Sequence, residues 1–433
     1  MCGIASIFDS EVAGFVIADA LFAMQHRGQE SCGISIYDNG KIRNKKGMGL
    51  VKDVLSRDTI ENLPGNIAIG HVRYPTHGKS NLRNAQPHSF KQNSLRVLSL
   101  ASNGDVVNYT QLRKELEEHG INFKSNNDGE LLVKLVGYYI YHQGLDEFEA
   151  IKKLMDSVKG AYSTTFVHKG KLFVFRDPFG FRPLSMSKVD SSYLFSSETA
   201  AIGINRGEFI REVEPGEIIE VSREGVKSVS YTSKFNPSKE PKHCSFELIY
   251  FARPDGYQYD SFVYDVREQI GATLSKYDND LDVDVVVPVP DSSNFIAIGY
   301  AHAKNVKFDM GLIRNHYVGR TFTKPNQKFR DEGVRRKFNP LFGFFEGKKV
   351  LLIDDSIVRG TTLRKIVRML RGVGAKEVHI RIGSPPVRYP CHYGIDTSNY
   401  KDLIANEKLI DEICEHLEAN SLKYLDIGDW HNP

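Results

Sequence analysis

Cysteine is scarce in this chain of 433 residues, which has five, at Cys2, Cys32, Cys244, Cys391 and Cys414. An odd, scattered set does not make the disulfide framework of a secreted protein, so a reducing cytoplasm is the expected compartment. Long apolar runs are missing as well. Nothing approaches the run of about 18 apolar residues that a membrane-spanning helix needs. The N-terminus, MCGIASIFDSEVAGF, lacks the basic stretch and apolar core of a secretory signal. Neither sign of charge dominates: 57 Lys and Arg stand against 54 Asp and Glu, for a net charge of +3. That balance excludes a broad nucleic-acid footprint and attachment to an anionic membrane, so any anion binding must be local. No internal repeat is visible.

What remains is the composition of a globular protein, 41% hydrophobic and 26% charged. The length exceeds one ordinary core and predicts two domains, or three. Up to about Lys227, short β-like runs (IASIF, CGISIY, NIAIGHV, RVLSLAS, KLFVFRD) alternate with helical stretches (VIADALFAMQHRG, QLRKELEEHG, ELLVKLVGYYIYHQG). Segment 231–243, YTSKFNPSKEPKH, is polar with two prolines and is the expected boundary, giving domains 1–232 and 233–433. Beyond it VDVVVPVP, KKVLLIDD and KEVHIRIGS are apolar without alternation, as in a parallel sheet covered on both faces.

Cys2 follows Met1 directly, and removal of that methionine would leave a thiol beside a free α-amine. An α-amine, with a reference pKa near 8, can accept the thiol proton at neutral pH, where a lysine stays largely protonated. A lone cysteine in a first strand is more often a small core residue. Three further segments weigh against that. GHVRYPTHG (70–78) puts an arginine at a strand end, suited to a bidentate grip on a carboxylate. SNG (102–104) offers a side-chain amide beside a flexible backbone N–H, the materials of an oxyanion hole. NNDGE (126–130) places Asp128 in a turn, where it can hold an ammonium group. Taken singly, NG is a common hairpin turn and an exposed Asp is usually solvated.

In this order MCGI, MQHRGQES, GHVRYPTHG, SNG and NDGE resemble the class II (N-terminal nucleophile) glutamine amidotransferase domain. The resemblance implies a four-layer αββα sandwich with Cys2 as nucleophile and Asn103 and Gly104 stabilising the oxyanion. It implies glutamine binding by Arg73, Thr76, His77 and Asp128, with Arg73 on the α-carboxylate and Asp128 on the α-amine. Two departures stand beside these residues: Pro75 where a serine is commoner, and Gly129 where a hydroxyl residue is expected.

The most specific motif is VLLIDDSIVRGTT (350–362): a buried strand, two carboxylates at its end, and a glycine-containing loop opening a helix. Unpaired N–H groups at such a helix start are suited to a phosphate. Helix capping accounts for one of the two carboxylates but poorly for the pair. The segment resembles the phosphoribosyl pyrophosphate (PRPP) signature of type I phosphoribosyltransferases, implying an α/β domain with a parallel sheet. Asp354, Asp355, Ser356, Val358, Arg359, Gly360, Thr361 and Thr362 would then bind PRPP. Ser292, in VVPVPDSSN (286–294), would serve a Mg²⁺ ion together with Asp354 and Asp355. The basic stretch 314–340 would be the loop that closes over PRPP.

The two halves together resemble the amidophosphoribosyltransferase family. That implies conversion of glutamine, PRPP and water to phosphoribosylamine, glutamate and pyrophosphate, with ammonia passed between two sites. It further implies purine nucleotides as feedback ligands and a homodimer or homotetramer, without nucleic-acid or membrane partners. Cys244 and Cys391 match two ligand positions of the iron–sulfur cluster that some members carry. The C-terminal CxxC that supplies the others is missing, and Cys414 falls in a helical pattern, so no cluster is expected. Only methionine removal is expected to be needed for processing. Two rivals are a PRPP-sensing regulator, which has no evident use for Cys2, Arg73 and Asp128, and a class II amidotransferase with another acceptor, which the phosphate signature disfavours.

Overall fold

The computed structural model describes residues 1–75, 80–317, 336–397 and 399–431. By packing, the chain divides into two units. One comprises Met1–Cys244 with the returning segments Gly256–Asp260 and Cys391–Asp396; the other holds Ser245–Asp255, Ser261–Pro390 and Thr397–Pro433.

In the first unit the strands β1 (Gly3–Phe8), β2 (Ser31–Asp38), β3 (Lys41–Met48) and β4 (Ile67–Arg73) precede β5 (His88–Gln92) and β6 (Leu95–Val106). Then come β7 (Gly160–His168), β8 (Lys171–Arg176), β9 (Ser185–Val189), β10 (Ser192–Ser196), β11 (Glu208–Glu212), β12 (Glu217–Ser222) and β13 (Gly225–Ser230). They form a seven-stranded sheet, β11-β9-β10-β1-β4-β2-β3, and a six-stranded one, β13-β12-β8-β7-β6-β5. Period-two alternation builds the layers. Ala5 and Ile7 of β1 pack with Ile17 and Leu21 of α1 (Ala13–Ala23). Ile4 and Phe8, on the opposite face, meet Ala101, Val167 and Val174 of the second sheet. Outside that sheet, Leu98 and Leu100 pack with helices that follow α2 (Tyr109–Glu118), namely α3 (Asp128–Tyr141) and α4 (Glu147–Ser157). The result is the expected αββα sandwich.

The polar segment after β13 stays with this unit. Ser233 Oγ donates to the Met155 carbonyl (3.0 Å), and the Asn236 amide donates to the Pro178 carbonyl (2.9 Å).

The second unit has a parallel sheet in the order β14 (Val285–Pro288), β15 (Lys349–Asp354), β16 (Glu377–Ile382) and β17 (Ser421–Tyr424). The unbroken apolar runs reflect two covered faces. Leu351 and Ile353 of β15 pack with α5 (Val263–Ser275) and α6 (Asn294–Lys304). Val350 and Leu352 pack with α7 (Thr361–Gly372) and α8 (Ile410–Leu417). Cys414 of α8 lies half-buried against that second cluster.

Candidate active sites

In the first unit Cys2, Arg73, Gly104 and Asp128 line one recessed pocket. β1 and β4 are neighbours, with Gly3 opposite Val72, which brings the start of one strand beside the end of the other. The Cys2 backbone N–H donates to Asn103 Oδ1 at 3.0 Å, and its sulfur lies 3.7 Å from the Tyr74 carbonyl. Asn103 is fully buried, and its Nδ2 has no partner among the described residues. Gly104 is required by close approach, since a Cβ there would stand 1.8 Å from the Ala161 carbonyl oxygen on β7.

Arg73 is buried and ion-paired with Glu30. Asp128 opens α3 and accepts the Val106 N–H at 3.2 Å, while Asn127 caps the helix by accepting the Gly129 N–H at 2.9 Å. Burial, followed by the hydrogen bond and charge of Asp105, holds the Asp128 carboxyl well above the usual carboxylate range. Thr76 and His77 lie outside the described residues.

Sequence reasoning missed several parts of this cavity. Asp105, adjacent to the SNG segment, lines it together with Gln86 and Tyr162. Arg27, within the quoted MQHRGQES stretch, donates from Nε to the Cys2 carbonyl at 2.8 Å and pairs with buried Glu198 at 2.5 Å. Glu198 is a chain-distant partner with no local sequence signal.

In the second unit β15 delivers Asp354 and Asp355 to the sheet's carboxyl end, where ligands bind open α/β sheets. Ser292 and Ser356 hydroxyls both donate to Asp355, each at 2.6 Å. Asp354 Oδ1 accepts the Asp355 N–H at 3.0 Å and the Ser293 hydroxyl at 3.4 Å. Burial and then the neighbouring Asp355 charge push Asp354 well above the ordinary range; burial also raises Asp355, against the pull of the two serines. Val358 and Arg359 form the loop, the latter paired with Asp402 at 2.9 Å. Gly360 takes φ 71°, a conformation that favours glycine, immediately before α7, and no side chain caps that helix start. Thr361 and Thr362 begin α7, leaving early N–H groups open to an anion. Of segment 314–340, residues 318–335 lie outside the described residues; its base is an antiparallel pairing of Leu312–Arg314 with Phe338–Pro340.

Two family models match this chain, a glutamine amidotransferase domain over residues 77–203 and a phosphoribosyl transferase domain over 264–382. The amidophosphoribosyltransferase of Methanothermobacter thermautotrophicus is 42% identical over 98% of this chain and 89% of its own length. That of Bacillus subtilis is 41% identical over 98% and 88%. The chain belongs to the amidophosphoribosyltransferase family.

Solved structures agree with this membership across both units. The glutamine PRPP amidotransferase from B. subtilis complexed with ADP and GMP matches with TM-score 0.90 and 40% identity, covering 99% of this chain and 92% of that one. A structure described as the allosteric regulatory enzyme of purine biosynthesis matches with TM-score 0.91 and 40% identity, over 99% and 90%. The cysteines relevant to a family cluster, Cys244 and Cys391, both fall in the first unit by packing, and neither is in a disulfide. Among the described residues no helix is long and apolar enough to cross a membrane.

Proposed function

We propose that this member of the family makes 5-phosphoribosylamine, glutamate and pyrophosphate from glutamine, PRPP and water, the first committed step of purine biosynthesis. The observation that carries the reading is the convergence of Cys2, Arg73, Gly104 and Asp128 on one cavity, in the same chain as the paired carboxylates and open helix start after β15.

In the first site the α-amine exposed by loss of Met1 takes the Cys2 thiol proton, and the sulfur attacks the side-chain carbonyl of glutamine. Asn103 Nδ2 and the Gly104 N–H stabilise the resulting oxyanion. Arg73 binds the α-carboxylate and Asp128 the α-ammonium, and Thr76 and His77 belong to the same glutamine site. The protonated α-amine returns its proton to the departing nitrogen as the C–N bond breaks, ammonia leaves, and water releases glutamate from the thioester.

In the second site the α7 N-terminus and the loop Ser356–Thr362 hold the sugar's phosphate, and Asp354 and Asp355 hold ribose hydroxyls. Ammonia forms the new bond at the anomeric carbon as the bond to pyrophosphate breaks, and then loses a proton. The donors Ser292, Asp354 and Asp355 fit Mg²⁺, which prefers hard oxygens and takes few protein ligands beside substrate phosphates. Two adjacent carboxylates with raised proton affinity also match a site completed by a cation. When bound, Mg²⁺ supplies charge stabilisation to the departing pyrophosphate.

Ammonia passes directly from the first site to the second, because ammonium formed in bulk solvent has no lone pair to attack with. Purine nucleotides as feedback ligands, a homodimer or homotetramer, a cytoplasmic location and the absence of an iron–sulfur cluster belong to the same proposal. The test is an assay of glutamate and pyrophosphate formation by the purified chain with glutamine, PRPP and Mg²⁺, with iron measured on the same sample. The expected result is PRPP-stimulated, equimolar formation of the two products; glutamine hydrolysis indifferent to PRPP, with no pyrophosphate, would refute the reading.

A further inference from the structure

One piece of the first unit comes from far along the chain. Cys391–Asp396 packs with Met1–Cys244, while the residues on either side of it, Pro390 and Thr397, belong to the second unit. Its seat is built around Arg182, a buried residue between β8 and β9. The Arg182 carbonyl accepts the Ser163 hydroxyl at 3.1 Å and Arg176 Nε at 2.7 Å, which ties it to β7 and β8. Arg182 Nη2 donates to the Tyr393 carbonyl, and the Tyr393 ring stacks on Phe181 with centroids 4.6 Å apart. Gly394 follows at φ 98°, a conformation that side chains rarely adopt. A Cβ at Gly394 would stand 3.0 Å from Arg182 Nη2, 3.4 Å from Asp105 Cβ and 3.7 Å from the Gly104 carbonyl carbon. The segment therefore lies against the Gly104–Asp105 peptide at the end of β6. On β7, Ser163 stands opposite Asn103 and Tyr162 opposite Gly104. The two residues assigned to the oxyanion are thus held by the β7 ladder, and Gly104 by Gly394 as well.

We propose that Cys391–Asp396 braces the oxyanion hole, with Tyr393 and Gly394 as positioning residues that fix the direction of the Gly104 N–H. This rests on the glutaminase reading above. An oxyanion donor is effective only where it already points at the charge that develops. Gly104 lies close to the end of β6, at Val106, and the end of a ladder is its least stable part. A segment docked on that end removes the freedom that the ladder leaves. The ground state of glutamine is gripped elsewhere in the pocket, by Arg73 and Asp128. Loosening the brace therefore costs stabilisation of the transition state and leaves substrate binding alone.

The experiment measures kcat and KM for glutamine hydrolysis in the unmodified chain, Gly394→Ala, Tyr393→Ala and Tyr393→Phe. Ammonia-dependent activity and alkylation of Cys2 by iodoacetamide, read by peptide mass, are followed in the same samples. Gly394→Ala puts a side chain on a positive φ and against Arg182, and Tyr393→Ala removes the ring that seats the segment on Phe181. Both are expected to lower kcat for glutamine about tenfold or more at unchanged KM, since a misplacement of about 1 Å can cost about 10²-fold. Tyr393→Phe keeps the ring and the backbone carbonyl and is expected to match the unmodified chain. Neither ammonia-dependent activity nor Cys2 alkylation uses the oxyanion hole, so both are expected to persist.

An unchanged kcat in Gly394→Ala or in Tyr393→Ala overturns the brace. A rise in the KM for glutamine that accompanies the fall in kcat, or a parallel loss of ammonia-dependent activity or Cys2 alkylation in Tyr393→Ala, also overturns it by assigning the segment to binding or to folding. Should Gly394→Ala not fold, the comparison of Tyr393→Ala with Tyr393→Phe decides, and equal impairment of those two overturns the brace. Complete absence of glutamine hydrolysis by the unmodified chain overturns the glutaminase reading itself, a failure distinct from any result on the variants.

Discussion

The Cys2 backbone N–H donates to Asn103 Oδ1 at 3.0 Å, while Nδ2 of the same side chain is buried without a partner among the described residues. The bond fixes the direction of the amide and leaves a desolvated donor in reserve, at a cost of about 1–3 kcal/mol. Such a donor is repaid when negative charge develops next to it. Asn103→Ala is therefore expected to lower glutamine-dependent kcat about 10²–10³-fold, with ammonia-dependent activity retained. Parallel assays with the two nitrogen sources check this, and an equal loss in both would assign Asn103 to folding.

Gly129 is explained by its neighbour. A Cβ at this position would stand 2.4 Å from Gln86 Oε1. Gln86 is held in place, because Oε1 accepts the Ser102 N–H at 2.8 Å and Nε2 donates to the Ser102 carbonyl at 3.1 Å. Gly129→Ser, which installs the hydroxyl residue expected from the resemblance, should cost about 1–3 kcal/mol by overpacking. It should also raise the KM for glutamine through the adjacent Asp128, leaving the KM for PRPP unchanged. Thermal unfolding and two-substrate kinetics measure both, and an unaltered Tm would mean that Gln86 is free to swing aside.

The sandwich and the parallel sheet were legible because their signals are local: period-two alternation in one half and unbroken apolar runs in the other. Asn103, Asp128 and Asp354 stood out as candidates because each sits in a short motif whose residue types fit one chemistry. Asp105 was passed over although it adjoins SNG, since a single Asp after a strand carries no signal until Asp128 is brought against it. The Arg27–Glu198 and Gln86–Gly129 contacts join residues far apart in sequence, and no periodicity or turn rule links them. The segment 231–243 reads as a linker by composition, yet Ser233 and Asn236 bury their side chains in the first unit. Polar composition does not reveal hydrogen bonds to distant carbonyls.

Asp354 and Asp355 together predict opposite effects on stability and on PRPP use. Burial raises both carboxyls, and repulsion from the Asp355 charge raises Asp354 further. A folded-state value above the unfolded one means that the folded protein binds more protons, so ligand-free stability falls as pH rises through the raised values. Asp354→Asn removes that repulsion and should raise the ligand-free Tm at pH 8. The same change should raise the KM for PRPP by about tenfold or more, an activity cost of the kind expected when a strained site is relieved. In the unmodified protein the KM for PRPP should climb as pH is lowered from 8 toward 6, because the protonated pair no longer attracts a cation or accepts ribose hydroxyls. Scanning calorimetry without ligand and PRPP kinetics against pH give the two readings. A variant with a lower Tm would contradict the repulsion argument.

Glu198 gives the opposite pH sign. Burial alone would raise its carboxyl, but His26 and Arg27 outweigh burial and bring it down to about 2. A depressed folded-state value stabilises above the unfolded range near 4.3 and is lost as pH falls from there toward 2. The shift corresponds to about 3 kcal/mol at neutral pH. Glu198→Gln would remove the carboxylate that pairs with the fully buried Arg27, and breaking a buried pair costs about 3–5 kcal/mol. Arg27 also holds the Cys2 carbonyl, so glutamine-dependent activity should fall together with stability. Urea unfolding at pH 7 and pH 3 separates the contributions: the gap between variant and unmodified protein should be wide at pH 7 and narrower at pH 3, where the Glu198 advantage is already fading. A gap of equal width at both pH values would mean that the ion pair contributes through shape and packing, with charge playing no part.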